Sequence, residues 1–251
     1  MLALALSAPP AAGAQEPAGH TRRLEVSVGL SSVAVLDQVA SPLPYGGAEP
    51  MLQLGYAALG ARSRFGLRVG AATATLTSDQ MQRDLPHEQE VRGWIEGEYL
   101  RRLGGGGDRT QWLVGGMLAV RGSERNHYYA GPLGAVQDYG FATAELAPVV
   151  AAERRLASGA ALSARLGVTV LGVVARPYSN LSGPGLPLRV VAPDRLQAID
   201  LLARYTRPIG TGAALLWDYR LVVERFADAE PYRAATQSLS LSISLRVGGR
   251  P

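Results

Sequence analysis

The chain of 251 residues contains neither cysteine nor lysine. Without thiols there is no disulfide framework and no thiolate chemistry, which is compatible with an exported protein. All 25 cationic side chains are Arg, set against 21 carboxylates for a formal net charge of +4. Along the chain these Arg are dispersed, whereas a nucleic-acid binder gathers its cations into a patch, so nucleic acid is not an expected partner. Histidine is scarce, at His20, His87 and His127 only, and no His and carboxylate cluster has a metal-ligand spacing. Neither a Gly-x-Ser-x-Gly nucleophile turn nor a phosphate-cradling loop occurs, so no metal and no cofactor is expected. Long apolar runs are missing too. The best candidate, Gly159 to Ala175, is broken by Arg165 and falls short of the roughly 18 apolar residues of a membrane helix. If the chain enters a bilayer, it does not do so with helices.

What the chain has is alternation. Ser238 to Val247 reads Ser-Leu-Ser-Leu-Ser-Ile-Ser-Leu-Arg-Val, and successive strand side chains point to opposite faces. Leu239, Leu241, Ile243, Leu245 and Val247 therefore form one apolar stripe, with Ser238, Ser240, Ser242, Ser244 and Arg246 opposite. At the other end, Leu2 to Ala14 is a short apolar run closing on Ala12-Gly13-Ala14, which reads as a signal peptide over residues 1–14. Residues 15–22 then form a short periplasmic leader, and residues 23–251 a single domain.

Ten segments share the strand period, each bounded by Gly, Pro, Asp or Asn. They are Arg23 to Val35, Pro50 to Ala61, Arg64 to Thr77, Glu90 to Arg102, Thr110 to Gly122, Gln137 to Ala152, Ala160 to Ala175, Arg195 to Arg207, Gly212 to Phe226 and Ala234 to Arg246. Most exceed the ~5–6 residues of a soluble strand and reach the ~9–11 that a tilted strand needs to cross a bilayer. Long and short connections alternate, with both termini on the short-turn side. The pattern predicts an all-β fold: a ten-stranded antiparallel up-and-down transmembrane β-barrel.

Face by face, the apolar stripe runs through Leu24, Val26, Val28, Leu30, Leu52, Leu54, Phe65, Leu67, Val69 and their counterparts on later strands. Tyr139 and Phe141 share parity with Glu145, so the even residues Ala142, Ala144, Leu146 and Val150 are placed outside. Tyr139 becomes an upper-rim aromatic only if that strand keeps the other register. Opposite the apolar stripe lie Glu25, Arg68, Arg92, Glu96, Glu98, Arg121, Glu145, Arg165, Asp200, Arg204, Asp218, Arg220, Glu224 and Arg246, seven acids and seven Arg. In a barrel lumen these must pair, because an unpaired buried charge can cost about 3 to 5 kcal/mol. They are expected to form Arg–carboxylate forks, with Gly29, Gly66, Gly70, Gly115 and Gly167 making room for the guanidinium groups. Phe65, Tyr99, Trp112 and Tyr205 fall near the short-turn end of the apolar face, as an aromatic girdle does. Leu241→Arg is expected to be costly on this reading, and Ser242→Ala nearly silent.

Taken together, the signal peptide, ten alternating strands, loop asymmetry and amphipathic last strand resemble a small bacterial outer-membrane β-barrel. The resemblance implies an outer-membrane location, contact with its lipid, and recognition of Leu239, Leu241, Ile243, Leu245 and Val247 by the barrel-assembly machinery. Such proteins often end on an aromatic residue; here Gly248-Gly249-Arg250-Pro251 follows instead. The omptin proteases resemble this chain in strand number, and Asp84, His87, Glu88, Glu90, Glu124 and His127 are the residues available for an omptin-like rim site. Their short paired motifs are absent, and a lipid-modifying enzyme would need a His on the lipid face, which none of the three supplies. The expected role is therefore structural or surface-interacting without catalysis, with a possible ligand of unknown identity at the outer loops around Asn126 to Tyr129 and Pro177 to Pro187. The competing readings are a narrow Arg/Glu-lined pore or transporter, a barrel enzyme, and a soluble lipocalin-like binder with its apolar face inward.

Overall fold

The computed structural model describes residues 21–41, 43–78, 88–104, 110–128, 136–176, 188–227 and 231–248. The stretch read as a signal peptide and the outer-loop residues Tyr129 and Pro177 to Pro187 lie outside them. Alternating sequence builds β1 (Thr21–Asp37), β2 (Tyr45–Leu59), β3 (Ser63–Leu76), β4 (Glu88–Arg102), β5 (Thr110–Tyr128) and β6 (Val136–Arg155). It continues through β7 (Ala161–Val168), β8 (Leu171–Ala175), β9 (Leu188–Val191), β10 (Leu196–Ile209), β11 (Ala213–Phe226) and β12 (Tyr232–Arg246). Since β1 begins at Thr21, the last two residues read as leader belong to the wall.

Each strand from β1 to β6 pairs antiparallel with the next, β7 pairs with β10, β10 with β11 and β11 with β12, and β12 returns to β1, closing the ring. The wall has ten staves, β1 to β7 and β10 to β12, with β8 and β9 added as a hairpin beyond β7. Closure leaves no open strand edge around the ring, as a strand wall in a bilayer requires, since no water is there to satisfy backbone groups.

The seventh segment is not one strand. On β6, Val149 faces Gly167 while Leu146 faces Leu171, so two β6 residues oppose three on the other side. This is a bulge, and it reverses parity: Val170 and Leu171 both point outward, Thr169 and Gly172 inward. Thr169 N–H donates to the Ala198 carbonyl and Val170 N–H to that of Leu146, so the break leaves those donors satisfied. Above it β9 takes the place beside β8 that β10 holds beside β7. A period-two reading cannot see a one-residue insertion.

Connections also differ from expectation. The strands run on above the apolar band, so the outer link at 227–231 shrinks to five residues while the turn at 103–109 has seven. Direction is carried by other features. Both described termini and the tight turns at 60–62 and 210–212 share one end, the periplasmic end of such barrels.

Outside, the apolar stripe is bare: Leu30, Leu239, Leu118 and Val28 are each more than half exposed. Soluble barrels do the opposite, covering hydrocarbon and showing charge. The lipocalin-like alternative therefore has its faces reversed, and the band meets lipid. The even residues Leu146 and Val150 of β6 lie on it, whereas Tyr139 and Phe141 are buried inside, so Tyr139 is not a rim aromatic.

The inward glycines do not make room for guanidinium groups in the way their parity predicted. A Cβ on Gly70 would sit 2.2 Å from the Trp94 ring, one on Gly66 3.0 Å from the Glu98 side chain, and one on Gly115 1.9 Å from the Tyr99 carbonyl oxygen. Trp94 lies over Gly70 and donates its indole N–H to Gln53 Oε1 at 3.3 Å. Gly70→Ala must push that ring aside, and overpacking of this kind costs about 1 to 3 kcal/mol. A lowered urea midpoint together with shifted tryptophan emission is the expected result; unchanged emission would place the ring elsewhere.

Candidate functional site: the charged lumen

Inward residues of neighbouring strands are brought level by register, and three tiers of charge result. Nearest the short turns, Arg204 (β10) forms a two-pronged fork with Asp218 (β11), both bonds 2.8 Å, and reaches Glu25 (β1) at 3.1 Å. Beside it Glu98 (β4) accepts from Arg165 (β7) at 2.8 Å and pairs with Arg68 (β3) at 3.2 Å. In the middle tier Asp200 (β10) is shared by Arg165 at 2.9 Å, Arg121 (β5) at 3.1 Å and Arg220 (β11). Arg121 also donates to Glu145 (β6) at 3.0 Å and to Glu96 at 3.3 Å, lies 3.5 Å from Glu224, and Arg220 pairs with Glu96 as well. Thr143 and Thr169 each donate a hydroxyl to Glu145 at 2.7 Å.

The upper tier extends past the residues singled out from sequence. Arg92 (β4) pairs with Glu49 and lies 3.7 Å from Glu90, while Arg125 and Arg176 share Asp37. Arg125 is fully buried, with its guanidinium 5.7 Å from the Tyr232 ring centre, and Tyr232 stacks on Phe141 at 3.8 Å. Phe141, Phe226, Leu76, Leu196 and Val174 close the lumen around these rings. Asp37, Glu49, Glu88, Arg125 and Arg176 lie just beyond the ends of the ten segments read from sequence, while Glu90, inside the fourth and grouped with Glu88 as a rim residue, belongs to this charge network. Parity was the available signal: Glu88 and Glu90 continue the even series of Arg92, and Arg125 the odd series of Arg121.

Of the fourteen charges assigned to inward faces, Arg246 stands apart. It is exposed at the short-turn rim, where its backbone N–H donates to the Gly212 carbonyl at 2.8 Å. Phe65, Tyr99 and Trp112 are outward and exposed; Tyr205 is half-buried because it packs on Trp217, ring centres 5.4 Å apart. Of the last-strand stripe, Leu239, Leu241, Ile243 and Leu245 face outward, while Val247 lies one residue past the strand, its N–H held by the Arg22 carbonyl.

Two cavities flank the lower fork. One of about 90 Å³ lies among Glu49, Gln53, Arg92, Trp94, Asp218 and Arg220; the other, about 480 Å³, opens at the short-turn end. Asp218 lines the first and Arg204 the second, so their fork is a partition between the two.

No family model matches the chain, and no curated protein matches it in sequence. Solved structures do match in shape. The translocator domain of the autotransporter NalP from Neisseria meningitidis superposes with a TM-score of 0.50 at 8% identity, over 90% of this chain and 88% of that one. The fold is that of the bacterial outer-membrane β-barrels. The outward apolar band sets the chain in that membrane, in contact with its lipid. The outer-membrane protease OmpT from Escherichia coli is also similar, with TM-score 0.49 and 6% identity over 92% of this chain and 97% of that one. Neisserial surface protein A gives TM-score 0.39 and 8% identity over 89% and 97%.

Proposed function

We propose that this outer-membrane barrel is a plugged scaffold: neither a pore nor an enzyme, but a rigid wall that holds outer-surface segments in place for contact with a partner. The observation that carries the reading is the middle tier of charge. Asp200, Glu96, Arg121 and Arg220 meet across the lumen from β10, β4, β5 and β11, so ion pairs span the space that water would have to cross. A barrel of about ten staves has little room to spare around such groups, since water-filled channels belong to barrels of about sixteen. Level with the upper-tier charges, the aromatic and aliphatic cluster adds an apolar seal.

Against catalysis stands the placement of the rim carboxylates. Glu88 and Glu90 are buried within 4.0 and 3.8 Å of Arg125, and Glu90 lies 3.7 Å from Arg92, so both sit within the upper charge tier. Glu124 is exposed on the outer wall. Asp84, His87 and His20 lie outside the described residues. The smooth Leu239, Leu241, Ile243 and Leu245 stripe supports delivery by the barrel-assembly machinery.

Proteoliposomes carrying the folded protein are expected to retain a trapped small sugar as well as empty vesicles do, and to leave added peptide and lipid substrates intact. Sugar release above the empty control, or turnover of either substrate, contradicts the proposal.

A further inference from the structure

The Arg residues are dispersed in sequence but not in space. Three Arg-Arg-Leu triplets, at 22–24, 101–103 and 154–156, stand at or beside strand ends on the short-turn side. Because neighbouring strand residues face opposite ways, each doublet sends one guanidinium out and one in. Arg22, Arg101 and Arg154 point outward below the apolar band; Arg23, Arg102 and Arg155 line the 480 Å³ vestibule, where Arg62 and Arg64 join them.

The vestibule is charged differently from the plug above it. In the plug nearly every Arg meets carboxylates. In the vestibule Glu25 is taken by Arg204, and Arg64 reaches up to Glu98 at 3.5 Å. That leaves Glu153 as the remaining carboxylate among the described lining residues, against Arg23, Arg62, Arg102 and Arg155. The Nε–H groups of Arg23, Arg64 and Arg102 are buried without a hydrogen-bond acceptor. Like charges in a concave wall repel, and buried donors left unmade carry a desolvation cost. A multiply charged oxyanion relieves both, since a guanidinium edge fits phosphate or carboxylate oxygens in pairs.

We propose that the periplasmic vestibule is a binding site for a compact anion bearing several phosphate groups, held between Arg23, Arg102 and Arg155 with Arg62 at the mouth. The site does not depend on whether the lumen is plugged, because it lies wholly below the Arg204–Asp218 fork. Free phosphate compounds and the phosphates of inner-leaflet lipid share this chemistry, and the doublets separate them: a free anion enters the vestibule, whereas a headgroup meets the outward Arg.

Calorimetric titration of the detergent-folded protein with inorganic tripolyphosphate tests this. Binding that weakens as salt rises is expected. The pair Arg23→Gln and Arg155→Gln should weaken it about tenfold or more, while Arg22→Gln with Arg154→Gln should change it by less than about twofold. Gel mobility that shifts on heating shows that each variant is folded. Absence of binding, equal loss in both pairs, or binding of an acidic peptide but not of tripolyphosphate overturns the proposal; equal loss would assign the anion to the outer collar and hence to lipid.

Discussion

Replacing Asp200 by Ala is expected to destabilise the folded barrel by about 3 to 5 kcal/mol, the cost of leaving buried charge without its partner. Asp200 is the meeting point of Arg121, Arg165 and Arg220, and all three would lose an acceptor at once. Arg165 keeps Glu98 at 2.8 Å and Arg121 keeps Glu145 at 3.0 Å, so collapse of the network should be partial. Asp200→Asn, which keeps the side-chain shape and one acceptor oxygen but not the charge, should fall between Asp200→Ala and the parent. The urea midpoint of the lipid-reconstituted protein reads the loss. A midpoint within error of the parent would mean that the tiers are solvated, and that water already runs between them.

Leu241→Arg, on the lipid face of β12, is expected to cost roughly 2 to 4 kcal/mol, the penalty for Arg near mid-bilayer. Leu241 is 43% exposed, lies between Leu239 and Ile243 on the outward stripe, and pairs with Val28 on one side and Trp217 on the other. Ser242, the next residue, points inward, and its hydroxyl donates to Ser27 Oγ at 2.7 Å. Both serines are buried, so Ser242→Ala is expected to lose one hydrogen bond, worth about 1 kcal/mol, rather than to be nearly silent. The expected order is therefore a large loss at 241 and a small one at 242. Equal losses, or the reverse order, would turn the wall inside out.

Much of this architecture is legible in sequence because a barrel wall enforces period two. Wherever one face meets hydrocarbon and the other charge, a one-residue error in register would bury the wrong set, so Leu24 to Leu30 and Leu239 to Leu245 declare their face directly. What escapes is whatever departs from that period or lies beyond the bilayer. The Val170–Leu171 bulge changes parity without changing composition. Hairpin strand β9 is only four residues long, and Leu188 and Val190 read like any apolar loop residues. The seal of Phe141, Phe226 and Tyr232 forms above the band, among the upper-tier charges Asp37 and Arg125. Glycine roles were misassigned for a related reason: parity says that Gly70 faces inward, but not that Trp94 fills its space. The Arg of the short-turn end were legible only as scattered doublets until the turns gathered them.

Planar-bilayer recording on the wild-type protein, first shown to shift its gel mobility on heating as closed barrels do, tests the central claim most directly. The ion-paired lumen predicts a bilayer with inserted protein and no discrete current steps. Discrete steps of reproducible size would contradict it, because they require a continuous water path past Arg204, Asp200 and Arg220, and the barrel would then be a narrow Arg/Glu-lined pore.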